Sequence, residues 1–216
     1  MRTIFMMCVL GLMGCADGGN GVTVSGKNMP EYFPFDGSER SWTFESDAEA
    51  AHRMVGVMDP ETTPDPDGNG EIVTVDYDLV CIDENDPSCV GGDVRVLEIS
   101  SNAGNGVRIH AVTPADGTRI EFDPPALIGD RNATFEESWV TETSVGTFTS
   151  TFMGSEPCSI RWVEDWNDCV VLEIDDSGVA GLTGTIWAVA SWNMVAFRLV
   201  DDLDRWELST ASWTAD

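Results

Sequence analysis

Lysine is almost absent from this chain. Lys27 is the only one, and 11 basic side chains stand against 38 acidic ones in 216 residues, a net charge of −27. A surface so short of positive charge repels the phosphate backbone and anionic headgroups, which excludes nucleic acid as a partner. The same acidity suits solubility in a salty medium, where salt screens self-repulsion. Histidine is scarce as well: His52 and His110 lie far apart, with no H-E-x-x-H and no G-x-S-x-G around them. Acidic pairs such as Glu164/Asp168 and Asp175/Asp176 have the residue types of a glycosidase. With 38 acids such pairs arise by chance, and the reading is of a non-enzyme with no catalytic residues. No cysteine pair has the C-x2–4-C spacing of a zinc site. Disorder is excluded by a composition that is 42% hydrophobic and includes eight Trp.

The N-terminus carries an address. "MRTIFMMCVLGLMGC" has Arg2, an apolar run over residues 4–13, and small residues before Cys15. About ten apolar residues are too few to cross a bilayer as a helix, and the pattern is that of a signal peptide, residues 1–14. Leu12-Met13-Gly14-Cys15 resembles the bacterial lipobox. That resemblance implies cleavage before Cys15, diacylation of its thiol and acylation of the new N-terminus, with acyl chains as a stable membrane anchor. Ala16, rather than Asp, follows the cysteine. The resemblance then implies sorting to the outer membrane, facing either the periplasm or the medium. Residues 15–31 are Gly-rich without apolar periodicity and read as a flexible tether. The folded part is expected near Tyr32, giving one domain over residues 32–216.

Beyond the tether the chain is a series of period-two segments broken by turn residues. In "IVTVDYDLVC", Val73, Val75, Tyr77, Leu79 and Cys81 share a face, while Asp76 and Asp78 take the other. "VRIHAV", "TRIEFDPPAL", "TFTSTFM", "VVLEI", "TIWAVASWNMVAFRLV" and "RWELSTASW" continue the pattern between "NAGNG", "PADG", "IGDRN" and "DDSG". About ten short strands predict an all-β antiparallel sandwich or open barrel. His110 shares the parity of Arg108 and is expected on a solvated face. Ser46-Asp47-Ala48-Glu49 matches a capping box, so residues 47–58 stay open between helix and strand. With Cys8 in the signal and Cys15 as anchor, Cys81, Cys89, Cys158 and Cys169 remain. Turn context favours local pairs, Cys81 with Cys89 and Cys158 with Cys169, each stabilising by roughly 2–3 kcal/mol in the chain-entropy model.

"EYFPFDGSERSWTFES" resembles the opening of a broad group of bacterial lipoproteins and secreted proteins of unknown function, through Tyr32, Phe33, Pro34, Phe35, Gly37, Trp42 and Phe44. "FDPPALI" and the Trp139 segment stand where that group has a Pro-rich turn before G-x-x-W. Ser191-Trp192-Asn193 replaces a G-x-G of the group. The resemblance covers the chain thinly and implies an all-β fold without a known activity.

Two ligand readings remain. "DPDGNGEIVTVD", residues 65–76, is close to a calcium loop: Asp65, Asp67 and Asn69 fill its first ligand positions and Gly70 its turn, with Glu71 also at hand. Position 12 is Asp76. On a strand it lies about 13 Å along from Ile72 and cannot close the shell. An acidic hairpin turn is therefore preferred over a weak Ca2+ cup. Seven Trp lie in the last 80 or so residues. Trp187 and Trp192 have opposite parity in one predicted strand, which leaves one exposed unless a bulge intervenes. An exposed row of Trp187, Trp192, Trp206 and Trp213 would suit a glycan, a lined cavity would suit a lipid carrier, and burial would suit neither. The overall expectation is a lipid-anchored envelope protein with a binding or structural role, whose partner is a glycan or another envelope protein. Carbohydrate binding through exposed Trp and carriage of an apolar ligand are the alternatives.

Overall fold

The structure is a computed structural model, and it describes residues 26–213 other than 37, 67, 69, 162–164, 201 and 203. The signal segment and Cys15 lie outside the described residues. One short helix, α1 (Met29–Tyr32), precedes thirteen strands: β1 (Arg40–Glu45), β2 (His52–Met58), β3 (Thr63–Pro64), β4 (Glu71–Cys81), β5 (Gly92–Asn102), β6 (Gly106–Pro114) and β7 (Ile120–Gly129), then β8 (Glu137–Thr143), β9 (Gly146–Ser159), β10 (Asp165–Asp175), β11 (Gly184–Val189), β12 (Asn193–Leu199) and β13 (Trp206–Trp213). The fold is all-β, with thirteen strands rather than the ten read from the sequence.

Alternation decides which side of each strand is buried. In β4, Val73 and Val75 are fully buried and Tyr77 nearly so, while Asp76 and Asp78 face out. In β10, Val170, Leu172 and Ile174 are inside, with Glu173 and Asp175 exposed. Burying one face of most of the strands requires the sheet to curl onto itself. Register shifts at Thr43/Phe44, Tyr77/Asp78 and Trp187/Ala188 bend it.

The strand order is β7-β6-β5-β4-β2-β1-β13-β12-β11-β10-β9-β8, antiparallel throughout, with β3 paired to β4. Spatial neighbours along this path are chain neighbours, except where β2 pairs β4 past the short β3 and where β1 lies beside β13. This up-and-down course makes a nearly closed barrel whose seam falls between β7 and β8. Pro124 and Pro125 sit in β7 and have no N–H for a ladder. Side chains bridge much of the seam in its place, beside one backbone bond in which the Ser144 N–H donates to the Asp123 carbonyl at 2.7 Å. The Leu127 N–H donates to Thr141 Oγ1 at 3.2 Å, the Asp123 N–H to Ser144 Oγ at 3.3 Å, and Ser150 Oγ donates to the Ile128 carbonyl at 2.6 Å.

Apolar residues line the inside and polar ones the outside, the reverse of a membrane-spanning barrel. No helix among the described residues is long and apolar enough to cross a membrane.

Two expectations change, and one open stretch is decided. Packed structure starts before Tyr32: Lys27 forms a bridge with Ala133, and Met29 is fully buried. The capping signal at Ser46 is real but serves a turn, its Oγ accepting from the Ala48 N–H at 3.3 Å. Residues 52–58 are a strand, because Met54, Gly56 and Met58 alternate inward. "TIWAVASWNMVAFRLV" is two strands rather than one. Its turn uses Ser191 at φ 67° and Asn193 at φ 72°, left-handed positions that glycine favours.

Both local disulfides are present, Cys81–Cys89 and Cys158–Cys169, with Cα separations of 6.0 and 5.9 Å. The first ties the end of β4 to the following loop, the second ties β9 to β10.

Candidate functional site

Segment 27–35 crosses one end of the barrel. The Met29 N–H donates to the Asp130 carbonyl at 3.2 Å on one side, and the Ser191 N–H donates to the Glu31 carbonyl at 2.8 Å on the other. Lys27 Nζ meets both oxygens of Asp168 at 2.7 and 2.8 Å, and the Tyr32 hydroxyl donates to the same carboxylate at 2.9 Å. Gly129 lets Met29 approach, since a Cβ there would stand 2.6 Å from Met29 Cγ. Phe33 and Phe35 follow and turn into the barrel. The Y-F-P-F stretch is thus the stopper of the barrel end.

Behind the stopper lies an apolar cavity with about 80 Å³ of free room. Leu97, Ile99, Ile109, Ile128 and Ile186 form aliphatic walls, and the flexible Met54 and Met194 fill between them. Three polar residues reach it: Tyr77, Arg95 and Asn193. Tyr77 and Arg95 are cross-strand partners on β4 and β5. Tyr77 lies flat on Gly56, where a Cβ would be 2.8 Å from its ring. Burial pushes its phenol up to about 12, with the Arg95 charge acting the other way. Burial also lowers the Arg95 pKa, against the opposing influence of Tyr77, Asp202 and Asp176. Arg95 Nη1 donates to the Gly181 carbonyl at 2.9 Å and forms no ion pair among the described residues. Asn193 is buried, and its Oδ1 has no hydrogen-bond partner among the described residues.

The loop that carries Gly181 is itself held by Asp176. That carboxylate accepts from the N–H groups of Gly178, Ala180 and Leu182 at 3.0, 2.8 and 2.9 Å, and from Thr183 Oγ1 at 2.6 Å. Burial alone would raise the Asp176 pKa, but these donors outweigh it and hold the carboxyl below the ordinary range.

The tryptophans do not form a row. Trp187 is on the outer face, half-buried, with its Nε1 donating to Glu156 at 3.0 Å and Arg205 lying 5.2 Å over its ring. Trp192 sits in the turn and meets Trp166 edge-on at 5.6 Å. Trp206 is buried and stacked on Phe197. β13 reaches Trp213, whose side chain lies outside those described. A polar groove of about 600 Å³ runs over the outside of β9–β12, with Thr149, Glu173, Thr185 and Arg198 along it and no aromatic ring to stack a sugar.

The calcium-like stretch joins β3 to β4 as a hairpin, closed by the Asp65 N–H to the Gly70 carbonyl at 2.9 Å. The Asp65 side chain is fully buried and turned to His110, with Oδ2 3.8 Å from Nε2. Asp67 and Asn69 lie outside the described residues, and Glu71 and Asp76 stand exposed on β4. His110 is buried, contrary to the solvated face expected from parity. It occupies a bulge of β6, where registers shift between Ile109 and Ala111, so residues 109–112 are all inside. Ser100 Oγ lies 2.9 Å from His110 Nε2. Serine and aspartate both address that one nitrogen, whereas a nucleophilic triad needs them on opposite nitrogens. His52, Cys81 and Cys89 also cluster, but their sulfurs are spent in the disulfide. Of the acidic pairs, Glu164 lies outside the described residues and Asp168 holds Lys27.

Arg95 and Tyr77 were not singled out from the sequence. The signal for Arg95 was there: in "VRVLEI" the arginine shares the parity of Leu97 and Ile99, a charge at an inward position.

No family model matches the chain, and no curated protein and no solved structure matches it.

Proposed function

We propose that this protein is a lipid-anchored outer-membrane component, non-enzymatic, whose barrel takes a small apolar ligand. The carrying observation is the stoppered apolar cavity behind Phe33 and Phe35. An engineered cavity of about 150 Å³ lined by aliphatic and aromatic side chains stays dry and takes benzene. The room here is about half that, so a ligand enters as Met54, Met194 and the stopper give way. An acyl chain fits that demand, being thin and conformable. The covered Trp187 ring and the buried Trp206 weigh against glycan stacking.

The anchor rests on Leu12-Met13-Gly14-Cys15. Cys15→Ser is expected to leave an unprocessed or soluble product; normal cleavage with unchanged membrane fractionation would refute the anchor. Binding is read by equilibrium dialysis of the full chain in a non-ionic detergent, with matched micelles on both sides and octanol as the probe. Saturable octanol binding is expected, and Leu97→Phe should remove it by filling the cavity while leaving the melting temperature within a few degrees. No saturable binding to the wild type would sink the cavity reading.

A further inference from the structure

Resting on that cavity reading, we propose that the ligand carries an anionic head: a fatty-acid carboxylate seated on the Arg95 guanidinium, with its chain running toward Phe33.

A guanidinium offers five N–H donors in a planar fork. Among the described residues a single acceptor, the Gly181 carbonyl at 2.9 Å, takes one of them. Arg95 is half-buried among apolar walls and has no carboxylate in ion-pair contact among the described residues. In a chain with 38 acidic residues that is a notable want of a partner. A desolvated charge without a counter-ion costs stability, and a hydrophobic residue would serve the fold better. The arrangement makes sense if the counter-ion arrives with the ligand.

The two described carboxylates whose charge acts on Arg95 are already committed. Asp176 is bound to its own loop, and Asp202 Oδ2 accepts from the Leu199 N–H at 3.1 Å. They add negative potential near Arg95, which disfavours a dianionic head and selects a monoanion. Tyr77, the cross-strand neighbour, adds a neutral hydroxyl at the same wall. Arg95, Leu97 and Ile99 then succeed one another along β5 over about 13 Å, at ~3.3 Å per residue. Leu182 adjoins the Arg95 end through Gly181, and Ile128 and Asn193 lie toward the stopper. One charged end and one apolar run give the shape of a single-chain carboxylate.

The same dialysis tests this with octanoate, octanol and octylphosphonate on the wild type, Arg95→Met and Arg95→Lys. A charge-assisted hydrogen bond at this site predicts octanoate preferred over octanol by roughly ten- to a hundredfold. Arg95→Met should erase that preference while keeping octanol binding, and should raise the melting temperature of the ligand-free chain. Arg95→Lys should keep part of the preference, which separates lost charge from lost packing. Equal binding of octanoate and octanol by the wild type would overturn the proposal, as would a preference that survives Arg95→Met. Octylphosphonate bound more tightly than octanoate would overturn the carboxylate assignment. Failure of all three probes would instead refute the cavity reading beneath it.

Discussion

Asp176 shows how a single carboxylate can organise the loop beside the cavity. It accepts three backbone N–H bonds and one hydroxyl while nearly inaccessible to solvent. Removing it strands those donors, so Asp176→Ala should cost about 3 kcal/mol, read from chemical denaturation. Its folded pKa lies below the unfolded value. Its stabilisation is therefore complete above the ordinary carboxylate range and is lost as pH falls through the lowered folded pKa. Wild-type stability should drop on acidification through and below pH ~4, and Asp176→Ala should show a shallower drop. Equal slopes would mean the loop is held by something else. Ser191 carries the opposite lesson: at φ 67° it holds a conformation that glycine adopts without strain. In the sequence Asp176 stood only as half of the Asp175/Asp176 pair, and Ser191 fell inside what read as one continuous strand. Asp176 is one acid among 38, and only the fold says which of them is buried.

Strands were legible because one side of each is buried, so β4 and β10 print their faces in alternating letters. The local disulfides were legible because each cysteine pair flanks a turn. What alternation could not show was curvature and interruption. His110 was misplaced because a bulge leaves four successive residues, 109–112, inside, and the β11–β12 turn was missed because it lacks glycine and proline. The β7–β8 seam has the same origin: prolines in β7 replace a ladder by side-chain bonds. Such bonds are fewer and less cooperative than a ladder. Hydrogen exchange should therefore release the amides of β7 and β8 sooner than those of β4 and β5, which are laddered on both edges. Thr141→Val should hasten exchange at Leu127 in particular. Uniform protection around the barrel would mean that the seam is as strong as the ladder.

At the scale of the whole molecule the dominant fact is charge. The excess of 27 negative charges repels itself most strongly in the compact state. Against it stand ion pairs such as Arg119 with Glu98 and Glu121, Arg40 with Asp36 and Lys27 with Asp168. Exposed pairs of this kind are worth about 0–1 kcal/mol each, and salt weakens them. Salt also screens the repulsion, with a Debye length that falls from about 30 Å at 0.01 M to about 3 Å at 1 M. The two effects oppose each other, and their balance sets the sign. The pairs act over a few ångströms and engage a minority of the 38 acids, whereas the repulsion is summed over the whole surface and is cut at every distance beyond the Debye length. Screening of repulsion should win. The melting temperature is expected to rise monotonically from 0.01 to 1 M sodium chloride, and to rise as much in potassium chloride, since no particular cation is involved. Arg119→Gln should lower the starting value slightly and steepen the rise, because one attractive contribution that salt erodes has gone. A melting temperature that falls with salt would show that the ion pairs, not the unbalanced acids, govern the stability of this barrel.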